Sequence, residues 1–337
     1  MIQSTVYRSA AALLGCTFLF AAQPAAQAEG SLRIVEQFGL TYLPLHVMRD
    51  QELIAKHAAA HDVEIDVEWR QVSGGAAAND ALLSGSVDVV AAGIAPLLTI
   101  WDRTRGNLDV RGIAAIGAHN SKLVTNNPNV KTIADFTEAD RIAVPSVGVS
   151  QQARTLQMAA MQLWGTDAWD RLDRLTVALP HPDATQAILS TSGSVTAHFS
   201  NEPFQYQELA APGTHVVTDS VAVFGGEATS TVVYAAARWR EDNPKTYAAF
   251  LDALDEASDY IEANPEGAAD VFLRVSGSGL DRDLVIAILN DPGMNFGTLP
   301  LNTEKLARFM HEVGAIRTAP ETWQDYFFDD IHDRPGS

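Results

Sequence analysis

Cysteine is almost missing from this chain of 337 residues: Cys16 stands alone. A disulfide framework is excluded, and so is a Cys-ligated metal site of the zinc-ribbon kind. Basic residues are scarce too, 23 Lys and Arg against 42 Asp and Glu, for a formal net charge of −19. Holding a phosphate backbone requires clustered Lys and Arg, so nucleic acid is excluded as a partner. Beyond the N-terminal stretch no apolar run reaches the ~20 residues of a membrane helix. The Gly-x-Ser-x-Gly elbow of hydrolases and the Walker loop of nucleotide enzymes are also missing. No cofactor, resident metal or catalytic set is expected, and the chain does not read as an enzyme.

What is present starts with a targeting segment. Residues 1–28 carry the single charge Arg8, a run of apolar and small residues from Ser9 to Ala22, and Ala26-Gln27-Ala28 as a cleavage site. This reads as a secretory signal peptide, which places the product in the periplasm. A rival reading takes Leu13-Leu14-Gly15-Cys16 as a lipobox with anchoring through Cys16. Against it, the residues after Cys16 stay apolar, as if the hydrophobic region were still running.

The remainder alternates strand and helix. Strands are expected at 32–37, 63–69, 87–92 and 110–116, with helices over 45–59, 76–83 and from Leu97 onward. This β-α-β-α-β order with short connections predicts a doubly wound α/β layer. A polar, turn-rich stretch from Asn120 to Asp135 reads as a crossover. The pattern then repeats, with strands at 142–144, 176–179 and 194–199. A strand at 232–236 leads back, and the last third is helical, expected to pack outside the first lobe. The chain is thus divided into a first lobe, 29–119 and 226–337, and a second, 120–225.

Parallel strands place their carboxyl ends on one edge of a sheet, where such folds bind ligands. The candidate residues are those at successive strand ends. In the first lobe they are Phe38, Gly39 and Tyr42, then Ser73 and Gly74, then Gly93, Ile94 and Ala95. In the second lobe they are Ser146, Gly148, Val149, Ser150 and Gln151, followed by Asn201 and Glu202. The 146–151 loop opens a helix, so free backbone N–H groups and hydroxyls converge there on acceptor oxygens. Each has a plainer alternative. Ser150 caps the helix, the glycines serve only the turns, Phe38 packs in the core, and Glu202 is either an ammonium partner or a surface cap. His119, His181 and His198 also fall near strand ends, where a histidine is more often a satisfied core group. His57 and His61 stand four apart near a helix end, a spacing that can hold a metal. However, a helix C-terminus favours histidine on dipole grounds alone.

Three stretches resemble a known family. These are Ile133-Ala134-Asp135-Phe136 with Arg141-Ile142-Ala143-Val144-Pro145, then Glu202-Pro203-Phe204, then Asn243-Pro244 through Trp323-Gln324-Asp325-Tyr326-Phe327. In order and spacing they resemble the periplasmic solute-binding proteins of ABC importers of the nitrate, sulfonate and taurine type. Residues 136–140 depart from the family's usual leucine and Gly/Lys-rich turn, which leaves the ligand subgroup open. The resemblance implies a type II periplasmic-binding-protein architecture, with two α/β lobes joined by two crossover segments and closing on a small solute. It implies a monomer that serves a membrane ABC permease and carries a small anionic or zwitterionic solute, taurine or an aliphatic sulfonate first. Two alternatives stay open. One is an enzyme like the pyrimidine-precursor synthases, needing a lysine for pyridoxal, for which only Lys122 lies near a strand tip. The other is a binder of an uncharged heteroaromatic such as a thiamine pyrimidine precursor, with Phe38, Tyr42 and Phe204 as its walls.

Overall fold

The computed structural model of the chain describes residues 29–190, 193 and 195–337. The signal segment, Cys16 and the start of the strand expected from Ser194 lie outside the described residues. The chain opens with β1 (Ser31–Glu36), α1 (Leu43–Asp50), α2 (Leu53–Ala60), β2 (Asp66–Gln71), α3 (Gly75–Leu83), β3 (Val89–Gly93), α4 (Ile94–Thr104) and β4 (Val110–His119). One helix was expected over 45–59, and two are found. Glu52 takes the left-handed conformation, φ 52°, between them. That geometry breaks the backbone ladder, which a continuous apolar pattern does not reveal. β2 begins three residues later than expected, in register with β1 from Ser31↔Asp66 onward.

The second set is β5 (Lys122–Thr125), β6 (Ile142–Val144), α5 (Gln151–Trp164), β7 (Thr176–Ala178), α6 (His181–Leu189), β8 (Ala197–Ser200), α7 (Phe204–Leu209), β9 (His215–Asp219) and α8 (Ser220–Phe224). The chain then returns through β10 (Thr229–Ala236), α9 (Ala237–Asp242), α10 (Pro244–Ala263), α11 (Pro265–Ser276), α12 (Arg282–Leu289), β11 (Met294–Asn295) and α13 (Thr303–Glu312). β5 and β9 escaped the sequence reading. Both are short and flanked by turn residues, and β5 sits inside the stretch read as a crossover.

The described strands form two sheets, β11-β4-β10-β3-β1-β2 and β7-β6-β8-β5-β9. The cores of both are parallel, β2-β1-β3 in one and β7-β6-β8 in the other. β10 runs antiparallel between β3 and β4, and β5 antiparallel between β8 and β9. The architecture is two α/β lobes joined by two crossovers. Those crossovers are paired at both roots: Ala118 faces Thr229 in the first sheet, and Lys122 faces Asp219 in the second. The first link is short, residues 120–121, and the second carries α8 between Asp219 and Thr229.

One apolar cluster lies under β1, β3 and β4, where Ile34, Val89, Ile113 and Val233 meet Phe250, Leu254 and Phe272 of α10 and α11. The amphipathic face of α10 buries Phe250, Ala253, Leu254, Ala257 and Ile261, and Pro244 starts that helix. α13 departs from the expectation for the C-terminal helices. It packs on α4 and on α5 of the second lobe, and Lys305 Nζ donates to the carbonyls of Val223 and Phe224 at 3.2 and 2.7 Å. A second cluster therefore spans both lobes, with Trp101, Phe309, Tyr326 and Phe327 on one side and Leu156, Met158 and Phe199 on the other. Among the described residues no helix is long and apolar enough to cross a membrane.

Candidate functional site

The carboxyl ends of the parallel strands from both sheets face one another across a cleft. Between them lies a cavity of about 30 Å³, walled by Gln37, Phe38, Thr41, Tyr42, Gly93 and Thr231 from the first lobe. Ser150, Gln151, Gln152, His181 and Asn201 wall it from the second lobe, and Ser121 and Ser230 from near the crossovers. No Lys, Arg, Asp or Glu lines it. Two wall atoms, Thr41 Oγ1 and Asn201 Oδ1, are buried without a hydrogen-bond partner.

Six residues singled out in sequence lie in this wall: Phe38, Tyr42, Gly93, Ser150, Gln151 and Asn201. Ser150 also caps α5, its Oγ accepting from Ala153 N at 3.2 Å. Others stand where the lobes touch. Ser146 Oγ accepts from Ala76 N at 3.3 Å, and Gln151 Oε1 accepts from Ala95 N at 3.2 Å. Leu40 N donates to Glu202 O at 2.9 Å. The three glycines mark the same seam. Gly39, at φ +125°, leaves room for Glu202 O, which an added Cβ would meet at 2.8 Å. A Cβ on Gly74 would collide with Ser146 Oγ, and one on Gly93 would meet Gln151 Cβ at 2.9 Å. Their use is close approach of one lobe to the other.

The remaining candidates lie elsewhere. Ser73 is exposed, Gly148 and Val149 are half-buried beside the cavity loop, and Ile94 is a core residue; the Ala95 methyl is also in the core, and only its N–H reaches the seam. The Glu202 carboxyl lies against Gln205, whose Nε2 donates to Oε1 at 2.7 Å, and not in the cavity wall. Burial pushes that carboxyl up to about 7, partly countered by the charge of Lys122. Arg154 is buried, its Nη1 donating to Gln157 at 2.8 Å, and it does not reach the cavity. His57 and His61 pair with Glu256 and Asp252, each at 2.7 Å.

Sequence reasoning missed Gln37, Thr41, Ser121, Gln152, Ser230 and Thr231. The last two begin β10, which runs antiparallel, so its amino end reaches the cleft. A search of strand carboxyl ends passes over such a strand. For His181 the core role outweighs ligand contact on sequence grounds. The residue is placed for both, opening α6 at the cavity while its Nδ1 meets His198 Nε2 at 2.8 Å. Burial lowers its basicity well below that of free histidine, and the neighbouring His198 adds to the effect.

Residues 32–276 match the NMT1-like family. The chain belongs to that family. No curated protein matches it. Among solved structures this NMT1-like protein is similar to the alkanesulfonate-binding protein SsuA of Xanthomonas axonopodis pv. citri bound to MOPS. The TM-score is 0.67 at 18% identity, over 87% of this chain and 96% of that one. It is also similar to the periplasmic aliphatic sulphonate-binding protein SsuA of Escherichia coli, with TM-score 0.64, 19% identity, and coverage of 89% and 92%. A third is the periplasmic nitrate-binding protein NrtA of Synechocystis PCC 6803, with TM-score 0.69, 15% identity, and coverage of 88% and 84%. The NMT1-like chain thus has the periplasmic-binding-protein fold.

Proposed function

We propose that the chain is the solute-binding component of an ABC importer. Exported to the periplasm as a monomer after loss of residues 1–28, it takes up a small solute between its lobes and presents the closed form to a membrane permease. The solute is anionic or zwitterionic, with taurine or another aliphatic sulfonate first. The observation that carries this reading is a cleft wall rich in neutral donors in which Thr41 Oγ1 and Asn201 Oδ1 are buried and unpartnered. An orphaned buried polar group costs about 1–3 kcal/mol, which a solute of matching polarity recovers. Phe38, Tyr42, Gly93, Ser150, Gln151 and Asn201 are proposed to touch the solute. Gly39, Gly74, Ala95 and Ser146 act at the closing seam. Closing adds second-lobe contacts, so solute shifts the balance toward the closed form.

A second reading, a neutral heteroaromatic solute, is favoured by Phe38 and Tyr42 in the wall. An enzyme using a lysine Schiff base is not favoured, because no lysine lines the cavity and Lys122 Nζ sits 5.3 Å from the centre of the Tyr206 ring. A thermal-shift screen against sulfonates, nitrate, carboxylates and pyrimidines tests the proposal. A solute present at 100 times its Kd stabilises by about 2.7 kcal/mol. Stabilisation by a sulfonate is expected. Stabilisation by pyrimidines alone would favour the second reading, and a flat screen would remove both.

A further inference from the structure

Behind His181 runs a fully buried line of polar groups. Glu208 Oε1 accepts from His198 Nδ1 at 2.6 Å and from Thr185 Oγ1 at 2.8 Å, with Ser200 Oγ at 3.4 Å. Three side chains thus converge on one oxygen of the Glu208 carboxyl, and its other oxygen, Oε2, is buried without a partner. In the tautomer that places hydrogen on His198 Nδ1 alone, toward Glu208, the His198 Nε2 is a lone pair and His181 Nδ1 is the donor across the 2.8 Å contact. The hydrogen of neutral His181 is then spent on the inner side. Its Nε2 is left as an acceptor on the ring edge turned to Gln152, another wall residue, whose amide nitrogen lies a long 3.4 Å away. Phe204, stacked on the ring at 5.7 Å and 14°, fixes its plane.

We propose that His181 Nε2 is the solute's acceptor in the second lobe, its polarity set by Glu208 through His198, so that the solute carries an N–H or O–H donor. This rests on the cleft being a solute site. It separates amino-, hydroxyl- or N–H-bearing solutes from bare anions such as nitrate or an unsubstituted alkanesulfonate. It also assigns the ammonium of a zwitterion to His181 and not to Glu202, whose carboxyl is outside the wall. His181 is a specificity residue on this account, and His198 and Glu208 position its proton.

Two measurements test this. In the ¹⁵N-histidine-labelled full chain at neutral pH, two-bond ¹H–¹⁵N correlations should show His181 and His198 both neutral with hydrogen on Nδ1. A doubly protonated His198 with hydrogen on His181 Nε2 would overturn the proposal, and this arm needs no variant. In calorimetric titration, taurine should bind at least tenfold more tightly than ethanesulfonate, and His181→Phe, which keeps the stack on Phe204, should level the two. Equal binding of the two by the wild-type chain would overturn it. Binding of neither counts against the sulfonate class proposed above, and the histidine tautomers still decide whether the wall offers an acceptor.

Discussion

The two walls of the cleft are supported by different materials. Behind Phe38 and Tyr42 lie Leu40, Leu43, Leu45 and the apolar underside of the first sheet, backed by α10 and α11. Behind His181 and Asn201 lie His198, Glu208, Thr185, Gln205 and Glu202, all buried and linked by hydrogen bonds. The apolar cluster belonging to the second lobe alone is small, with Ala143, Ala184, Ile188 and Val195 as its buried members. Apolar packing fixes shape and is indifferent to pH. A buried polar network also fixes where donors and acceptors point, and its contribution changes when a member titrates. The second wall therefore rests on a buried polar network, and the first mainly on apolar packing, with the buried pair Glu36 and His46 as its titratable part.

The contrast can be broken or sharpened by substitution. The largest effect is expected from Phe250→Ala, which empties a fully buried position on α10. It should cost about 3–5 kcal/mol in denaturant unfolding, by the same amount at pH 5 and pH 8. A cost that depended on pH would blur the distinction.

Glu202→Gln should show the opposite behaviour. The folded carboxyl keeps its proton up to about 7, whereas an unfolded one loses it near ~4.3. The native state thus binds the extra proton between those values, and wild-type stability falls as pH rises through that window. Glutamine keeps the contact to Gln205 and removes the titration. Relative to wild type it should gain stability between pH 5 and pH 8, with a ceiling on the order of 3 kcal/mol for the whole window. Equal effects at both pH values would show that Glu202 is already charged when folded. Glu36, in the first lobe, is likewise pushed up to about 7 by burial and keeps its own slope in the variant.

Gly74→Ala acts on the seam. The added Cβ would occupy the space of Ser146 Oγ, so closing is obstructed while each lobe stays intact. Solute affinity should fall about tenfold, or about 1.4 kcal/mol, with the solute-free melting temperature unchanged. An unaltered affinity would mean that the seam yields without cost. The smallest effect belongs to Arg282→Ala, which removes an exposed pair with Asp270 at 2.6 Å. Stability should change by less than about 1 kcal/mol, and a larger loss would mean that surface pairing carries more of the first lobe than its apolar packing implies.

The fold was legible where periodicity is strong. Strand and helix alternation, the doubled pattern and the shared strand-end edge all follow from runs such as 87–92 and 142–144. What stayed hidden depends on backbone geometry or partnership. The break at Glu52 is a single left-handed residue, and β5 and β9 are strands chiefly by virtue of pairing with each other and, for β5, with β8. The strand-end glycines were visible, but what they approach comes from the other lobe, which no local pattern encodes. His181 was undervalued for the same reason. Its partners His198 and Glu208 are 17 and 27 positions away, and only the packed second sheet brings the three into line.

The paired crossovers bear on how such a clamp can move. The two links are held to each other at Ala118–Thr229 in the first sheet and at Lys122–Asp219 in the second. The close approaches at Gly39, Gly74 and Gly93 all run from one lobe to the other, so a relative movement of the lobes acts on all three. If the lobes open as proposed, the expected outcome is loss of these contacts as a set, without a stable half-open intermediate. Small-angle scattering across a solute titration should therefore resolve into two fixed profiles in changing proportion.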